Sequence, residues 1–320
     1  MKLLTHIARI LVGGLFIFSG FVKLVDPIGS QYKFEEYFSE GVLNLEFLIP
    51  YALPFAIVLI VVEVVLGVAI LIGWKPKFTI WSLLITIVFF TFLTWYSAYY
   101  NKVTDCGCFG DAIKLTPWQS FYKDVLLTAL ILILLLRLKD IKPIVKGKLP
   151  AIITLVSLFA SLYITYHVLV HLPIIDFRPY AVGNNIPEGM KYKNDGEIPK
   201  IHDFYLEDAQ SDLAPEILEK EKVLLVIVYA LEKADTNGFK AIKVITEKAI
   251  KKGYIVYGAS ASFTDELIIA KEKYELPFDF LFCDGTTLKT MVRANPGLMM
   301  LNKGTITGKW NWTDIDAIEL

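Results

Sequence analysis

Asp105-Cys106-Gly107-Cys108-Phe109-Gly110-Asp111 holds two of the three cysteines in a chain of 320 residues. It forms a short polar loop between two long apolar segments, residues 78–100 and 117–136. Each segment meets the length needed to cross a bilayer, about 20 mostly apolar residues. The stretch therefore predicts two membrane helices joined by a turn that presents a cysteine pair at the membrane surface. Two thiols at i and i+2 close on each other only where the backbone bends. A disulfide wants Cα atoms about 4.4–6.8 Å apart, and two extended residues cover roughly 6.6–7.2 Å. Gly107 supplies the bend, because it reaches positive φ without a Cβ clash. So small a ring gains little as a staple, since disulfide stabilisation grows with loop length. The pair reads instead as a reducible redox couple. Two unpaired loop thiols remain an alternative. Half of a zinc site is another, but no third Cys and no His lies in the loop, so no metal is assigned.

Outward from the loop, the composition sets the class. The chain is 55% hydrophobic and 20% charged, with mean hydropathy +0.51. That is too apolar for an ordinary soluble domain. A net charge of −1 implies no basic surface for nucleic acid. Five segments are long enough to span a membrane: residues 3–25, 48–72, 78–100, 117–136 and 149–172. The first lacks a small-residue cleavage site and is read as a retained helix rather than a signal peptide. Residues 29–47, acidic with interleaved aromatics, predict an interfacial helix or lid. Lys and Arg in short loops set orientation. The strongest basic cluster, Arg137 to Lys148, falls between spans four and five. It places the N-terminus in the cytoplasm, and the cysteine loop and C-terminal domain outside it, where disulfides form.

Ionisable residues inside spans are costly and are candidates for function. Glu63, in Val61-Val62-Glu63-Val64-Val65, is the clearest, and Arg9 in span one is placed to pair with it. Lys23 and Asp124 predict a second pair near the outer face, with Asp124 on the side of the cysteine loop. The structural alternative is that these charges only hold helices together or reach the headgroups. Asp105 and Asp111 flank the cysteines and raise their pKa values. A thiolate is the nucleophile in exchange, so a redox role asks for Lys102, Lys114 or Lys123 to fold over the loop. Gly13, Gly14 and Gly20 give span one a small-residue face for close packing.

After residue 172 the pattern changes. A polar linker at residues 176–200 gives way to strands at 222–230, 254–259, 278–283, 298–302 and 305–310, with helices at 238–252, 264–274 and 286–294. That order predicts an α/β sheet with an antiparallel edge. The expected organisation is a membrane domain at 1–140, a fifth span at 141–175, the linker, and an extracytoplasmic α/β domain at 201–320.

The N-terminal region, with Arg9, Phe18-Ser19-Gly20-Phe21-Val22-Lys23-Leu24, Glu63 and the Cys106-Gly107-Cys108-Phe109-Gly110-Asp111 loop, resembles the DoxX-like membrane family. It resembles in particular the branch of the methylamine-utilisation protein MauE. The resemblance implies a four-helix bundle engaged in thiol redox work outside the cytoplasm, on extracytoplasmic protein thiols or envelope proteins. It is also similar to quinone-linked disulfide generators, so a quinone is the cofactor that this analogy suggests. The C-terminal region resembles thioredoxin-like domains, on the strand at 223–230, Leu276-Pro277-Phe278 and Asn295-Pro296 before the hairpin. In that fold this proline is cis and its surroundings receive a partner peptide, which makes Asn295 and Pro296 partner-binding candidates. The family's C-x-x-C is missing, since Leu231-Glu232-Lys233-Ala234-Asp235-Thr236-Asn237-Gly238-Phe239 holds no cysteine. Cys283, at a strand's C-terminal end, is a candidate lone thiol or a small core residue. The two-part arrangement is similar to membrane proteins of Bacteroidetes-like bacteria, which implies the bacterial inner membrane. Two readings follow. One is a membrane thiol–disulfide oxidoreductase using Cys106 and Cys108, with the α/β domain docking partners. The other is a non-enzymatic, membrane-anchored scaffold or peptide-binding protein.

Overall fold

The computed structural model describes residues 2–103, 105–192 and 198–320; residues 193–197 of the expected linker lie outside the described residues. The chain divides into two compact units, Met1–Leu169 and Val170–Leu320. The first is helical and the second is a mixed α/β sheet, as the hydropathy and strand pattern predict.

The helical unit contains α1 (Lys2–Leu24), α2 (Pro27–Phe38), α3 (Ala52–Ile72), α4 (Pro76–Tyr100), α5 (Pro117–Leu136) and α6 (Leu149–Val170). All but α2 belong to segments long and apolar enough to cross a membrane, five among the described residues. Local chemistry sets their ends. The Asp26 side chain accepts the Gly29 N–H ahead of α2, with Pro27 in the first turn. Gly73, at φ +76°, closes α3 in the left-handed conformation. Thr116 and Gln119 form a reciprocal capping box at the start of α5. The buried share of the apolar window falls from 50% in α1 to 22% in α6, so α1, α3, α4 and α5 carry the bundle core.

Helix association in lipid gains little from the hydrophobic effect and depends on close packing. Here α1 and α3 touch backbone to backbone. A Cβ on Gly13 would meet the Gly67 carbonyl oxygen at 3.0 Å, and one on Gly67 the Gly13 oxygen at 2.9 Å. Gly20 likewise faces Val64, whereas Gly14 faces open space and takes no part in the expected seam. The predicted lid is α2, whose Phe34, Tyr37 and Phe38 are buried with Ala52, Ala56, Ile60 and Leu93 of α3 and α4.

The second unit runs through two short helices, α7 (Ile186–Gly189) and α8 (Ala214–Glu219), and then β1 (Val223–Val228), α9 (Gly238–Lys251), β2 (Ile255–Ser260) and α10 (Thr264–Tyr274). It ends with β3 (Phe280–Phe282), α11 (Gly285–Met291), β4 (Gly297–Asn302) and β5 (Thr305–Asn311). The sheet order is β3-β2-β1-β4-β5. β1 pairs parallel with β2 and antiparallel with β4. Its central place explains its unbroken apolar sequence, since both faces are covered. Leu225 and Ile227 pack on one side with Met299, Leu301 and Leu281. Leu224, Val226 and Val228 pack on the other with Phe239, Ile242 and Ile245.

Candidate functional site

Between α1, α2, α3, α4, α5 and the cysteine loop lies a cavity of about 780 Å³ of empty space, part of it open to the exterior. Cys106, Gly107, Cys108 and Phe109 form one wall. The turn is built locally. The Gly107 N–H donates to Asp105 Oδ1 at 3.0 Å, and Gly107 and Gly110 both take positive φ, +65° and +49°. The Gly110 N–H then donates to the Gly107 carbonyl at 3.1 Å. The Lys33 stem covers Gly107, where a Cβ would sit 3.0 Å from Lys33 Cγ. Phe109 is buried and meets the Phe18 ring at 5.4 Å between centroids. Asp105 thus serves the turn itself, and Asp111 is half-buried just beyond it.

Both cysteines are free thiols. Burial pushes the Cys106 thiol up to about 11, with Cys108 and Asp105 adding to the rise while Ser120 and Tyr37 oppose it. Cys108 is also raised, by burial first; Lys123 and Lys23 oppose the rise and Asp124 adds to it. The Ser120 hydroxyl is buried beside both sulfurs without a full hydrogen bond to either. It is therefore placed to donate to whichever becomes a thiolate. Tyr37 is anchored to Ser97 by a 2.9 Å hydroxyl–hydroxyl bond.

The facing walls carry two ion pairs. Lys23 pairs with Glu63, and both are buried. Ser19 Oγ lies 3.0 Å from Glu63 Oε2 and 2.9 Å from the Cys108 carbonyl oxygen. It has one proton for these two acceptors, so it links the ion pair to the cysteine turn. Lys123 Nζ lies 2.8 Å from Asp124 Oδ1. That contact is off the hydrogen-bonding direction, so Oδ1 has a counter-charge but no hydrogen bond. Thr94 donates to Asp124 Oδ2 at 3.0 Å. Lys123 also sits 4.9 Å above the centre of the Phe109 ring. It is the cation over the loop that the flanking aspartates call for.

The structure re-pairs the expected charges. Arg9 does not reach Glu63. Its guanidinium donates to the Ile70 and Leu71 carbonyls, each at 2.6 Å, and to the Lys142 carbonyl at 3.0 Å, so it caps the end of α3. Lys23 takes Glu63, and Asp124 takes Lys123 in its place. Glu63, Asp124, Cys106 and Cys108 therefore meet at one cavity, and Arg9 lies outside its lining. Sequence reasoning missed Ser19, Ser120 and Thr94, which carry no spacing signal of their own.

In the α/β unit, Asn295–Pro296 is a cis peptide bond. The proline is nevertheless buried rather than displayed. The start of α9 and Trp312 cover it, so that a Cβ on Gly238 would lie 2.9 Å from Pro296 Cγ and 2.8 Å from Trp312 Cγ. Asn295 is held by a 2.7 Å bond from Nδ2 to the Ala230 carbonyl. The expected peptide-receiving face at Pro296 is thus occupied by the chain's own packing. Cys283 is fully buried in the sheet core, with its thiol pushed up to about 12 by burial. It is a core residue and out of a partner's reach.

Residues 1–137 match the family model of the methylamine utilisation protein MauE. This MauE-like region ends one residue after α5, so it contains the whole cavity and the cysteine loop. With its apolar helices it identifies a membrane protein. A search of curated proteins and a search of solved structures each gave no match.

Proposed function

We propose that the protein is a membrane thiol–disulfide redox protein working through Cys106 and Cys108. The observation that carries this reading is the placement of both thiols on the wall of a cavity that also holds two lysine–carboxylate pairs. Charged groups buried in a membrane bundle are expensive, and they are retained where chemistry or tight pairing uses them. The reading places the loop outside the cytoplasm of a bacterial inner membrane, as the lysine and arginine bias suggests. Its partners are extracytoplasmic protein thiols. In exchange, a partner thiolate attacks the loop disulfide, a mixed disulfide forms, and the partner's second thiolate resolves it. The partner leaves as a disulfide and the loop as a dithiol, a transfer of two electrons. Recharging the loop needs a two-electron acceptor. The apolar lining, including Leu15, Phe16, Leu59 and Phe90, suits a lipid-soluble quinone, and the lysine ammonium groups of Lys23 and Lys123, with three protons each, would donate to its oxygens. When bound, the quinone would accept the two electrons and two protons of the dithiol. The α/β unit, read as a thioredoxin-like fold without its cysteine pair, serves in this reading as a partner-docking module by a face other than the covered one at Pro296.

The test is trapping. With Cys108→Ser, the Cys106 thiolate attacks the disulfide of an oxidised partner, and the mixed disulfide that forms has no Cys108 thiol to release it. Non-reducing electrophoresis of membranes should show a dithiothreitol-sensitive adduct that Cys106→Ser abolishes. No adduct in any single-cysteine variant favours the scaffold reading.

A further inference from the structure

The end of the helical unit opposite the cysteine loop carries a second opening. It is a groove with about 1610 Å³ of empty space, much of it open to the exterior. Its lining includes Arg9 and Ile10 of α1, Leu71 of α3, and Lys139, Lys142 and Ile144 of the connection from α5 to α6. Arg9 is its fixed point. The side chain is buried, with 5% of its surface exposed, and it donates to the Ile70, Leu71 and Lys142 carbonyls. The Ile144 N–H donates to the Ile72 carbonyl at 3.1 Å, so the connection is pinned against the end of α3. A guanidinium has one N–H on Nε and two on each terminal nitrogen. One N–H on Nη1 and one on Nη2 therefore have no acceptor among the described residues.

Capping satisfies part of the Arg9 hydrogen bonding but leaves its charge. Carbonyls carry no net charge, and a helix C-terminus supplies only about half of a negative one. The groove holds one carboxylate, Asp140, against three cations, Arg9, Lys139 and Lys142. Among the described residues none of these three cations enters an ion pair. A buried guanidinium without a counter-anion is costly in a membrane span. We propose that the groove binds the phosphate of an anionic phospholipid, with Arg9, Lys139 and Lys142 donating to the phosphate oxygens. The planar fork of arginine suits a phosphate, and the lysines add point charges. Basic pockets beside membrane helices select headgroups rich in phosphate. The surplus of cations over carboxylate matches a headgroup with two phosphates, as in cardiolipin, better than a zwitterionic one. Ile10 and Ile144 in the lining are exposed, so they meet the acyl chains, which a free phosphate ion would lack. The lipid then ties α1, the end of α3 and the α5–α6 connection together.

The test is a lipid titration of the detergent-solubilised full-length protein, read by native mass spectrometry, with cardiolipin and phosphatidylcholine as probes. It does not depend on the thiol chemistry. Cardiolipin should bind about tenfold more tightly than phosphatidylcholine, or better. Lys139 and Lys142 are exposed, so the fold does not rest on them, and they carry the test in place of the buried Arg9. Lys139→Gln with Lys142→Gln should weaken cardiolipin binding about thirtyfold, the effect of two lost surface charges. Lys139→Arg with Lys142→Arg should stay within about threefold of the parent, since the charges return. Lys75 and Lys77, exposed at the start of α4 on the same end of the unit but outside the groove lining, are the control. Their double glutamine variant should bind within about twofold of the parent. Equal affinity for the two lipids, or equal losses in the two glutamine pairs, overturns the site. Displacement of cardiolipin by millimolar inorganic phosphate overturns the lipid as its occupant, in favour of a free anion.

Discussion

The two units of this protein each bury ionisable groups, and they use them differently. In the α/β unit, Arg178 grips Asp176 through two nitrogens at 2.7 and 2.9 Å, and Lys309 reaches the same carboxylate at 2.5 Å and the Tyr180 carbonyl at 2.9 Å. That network is spent on holding backbone and side chains together. In the helical unit the buried pairs line a cavity and face two thiols. The cysteines follow the same division: Cys283 is sealed in a sheet core, while Cys106 and Cys108 border empty space. Residue type alone does not mark a reactive thiol; a neighbouring cation and an approach path do.

The sharpest break of this contrast comes from the cysteines. Cys106→Ser or Cys108→Ser should reduce thiol exchange to the uncatalysed background, measured with a reduced model protein as substrate. Cys283→Ala should leave exchange unchanged, and lost exchange in that variant would erase the distinction between the units. Next is the Lys23–Glu63 pair. Removing one partner of a buried pair leaves an uncompensated charge and costs about 3–5 kcal/mol. Lys23→Met should lower the melting temperature of the detergent-solubilised protein markedly. Lys23→Met with Glu63→Leu should recover most of the loss, because no lone charge remains.

The α/β unit offers a pH test of its own network. Burial, with the nearby Arg178 charge, pushes Lys309 down to about 8. The unfolded chain holds a proton there up to about pH 10.4, the ordinary lysine value. Between these values the unfolded state binds more protons, so stability rises with pH, by about 3 kcal/mol at most. Hydrogen exchange at β1 and β4 should slow from pH 8 to pH 10 once corrected for intrinsic rates. Lys309→Met should flatten that trend. A smaller effect concerns Cys106. With its pKa near 11, its alkylation rate should climb about tenfold per pH unit between pH 7 and 9, following the thiolate fraction. A plateau below pH 9 would put the thiol in a different environment.

Much of this architecture was legible from pattern. The five spans and the order of the α/β elements follow from hydrophobic run length and the switch from a helical to a strand period. Glu63 and Asp124 were visible because charges in apolar runs are rare. Their partners were not visible, because partner choice depends on helix register. Gly13 against Gly67 and Gly20 against Val64 fix an antiparallel seam. That seam brings Arg9 level with Leu71 and leaves Glu63 beside Gly20, one turn from Lys23. Nothing in α1 alone distinguishes Arg9 from Lys23 as the partner. Pro296 failed for a related reason. Its loop position is local and readable, but its cover, Gly238 and Trp312, comes from distant segments.

The central claim is that Cys106 and Cys108 form a working couple. Its most direct test is their thiol state in native membranes, by differential alkylation and mass spectrometry before and after a pulse of dithiothreitol. The account predicts an intramolecular disulfide that the reductant opens and that returns when the membranes respire. Two thiols that stay free through oxidant and respiration would contradict it, and would leave the protein a membrane-anchored binding module.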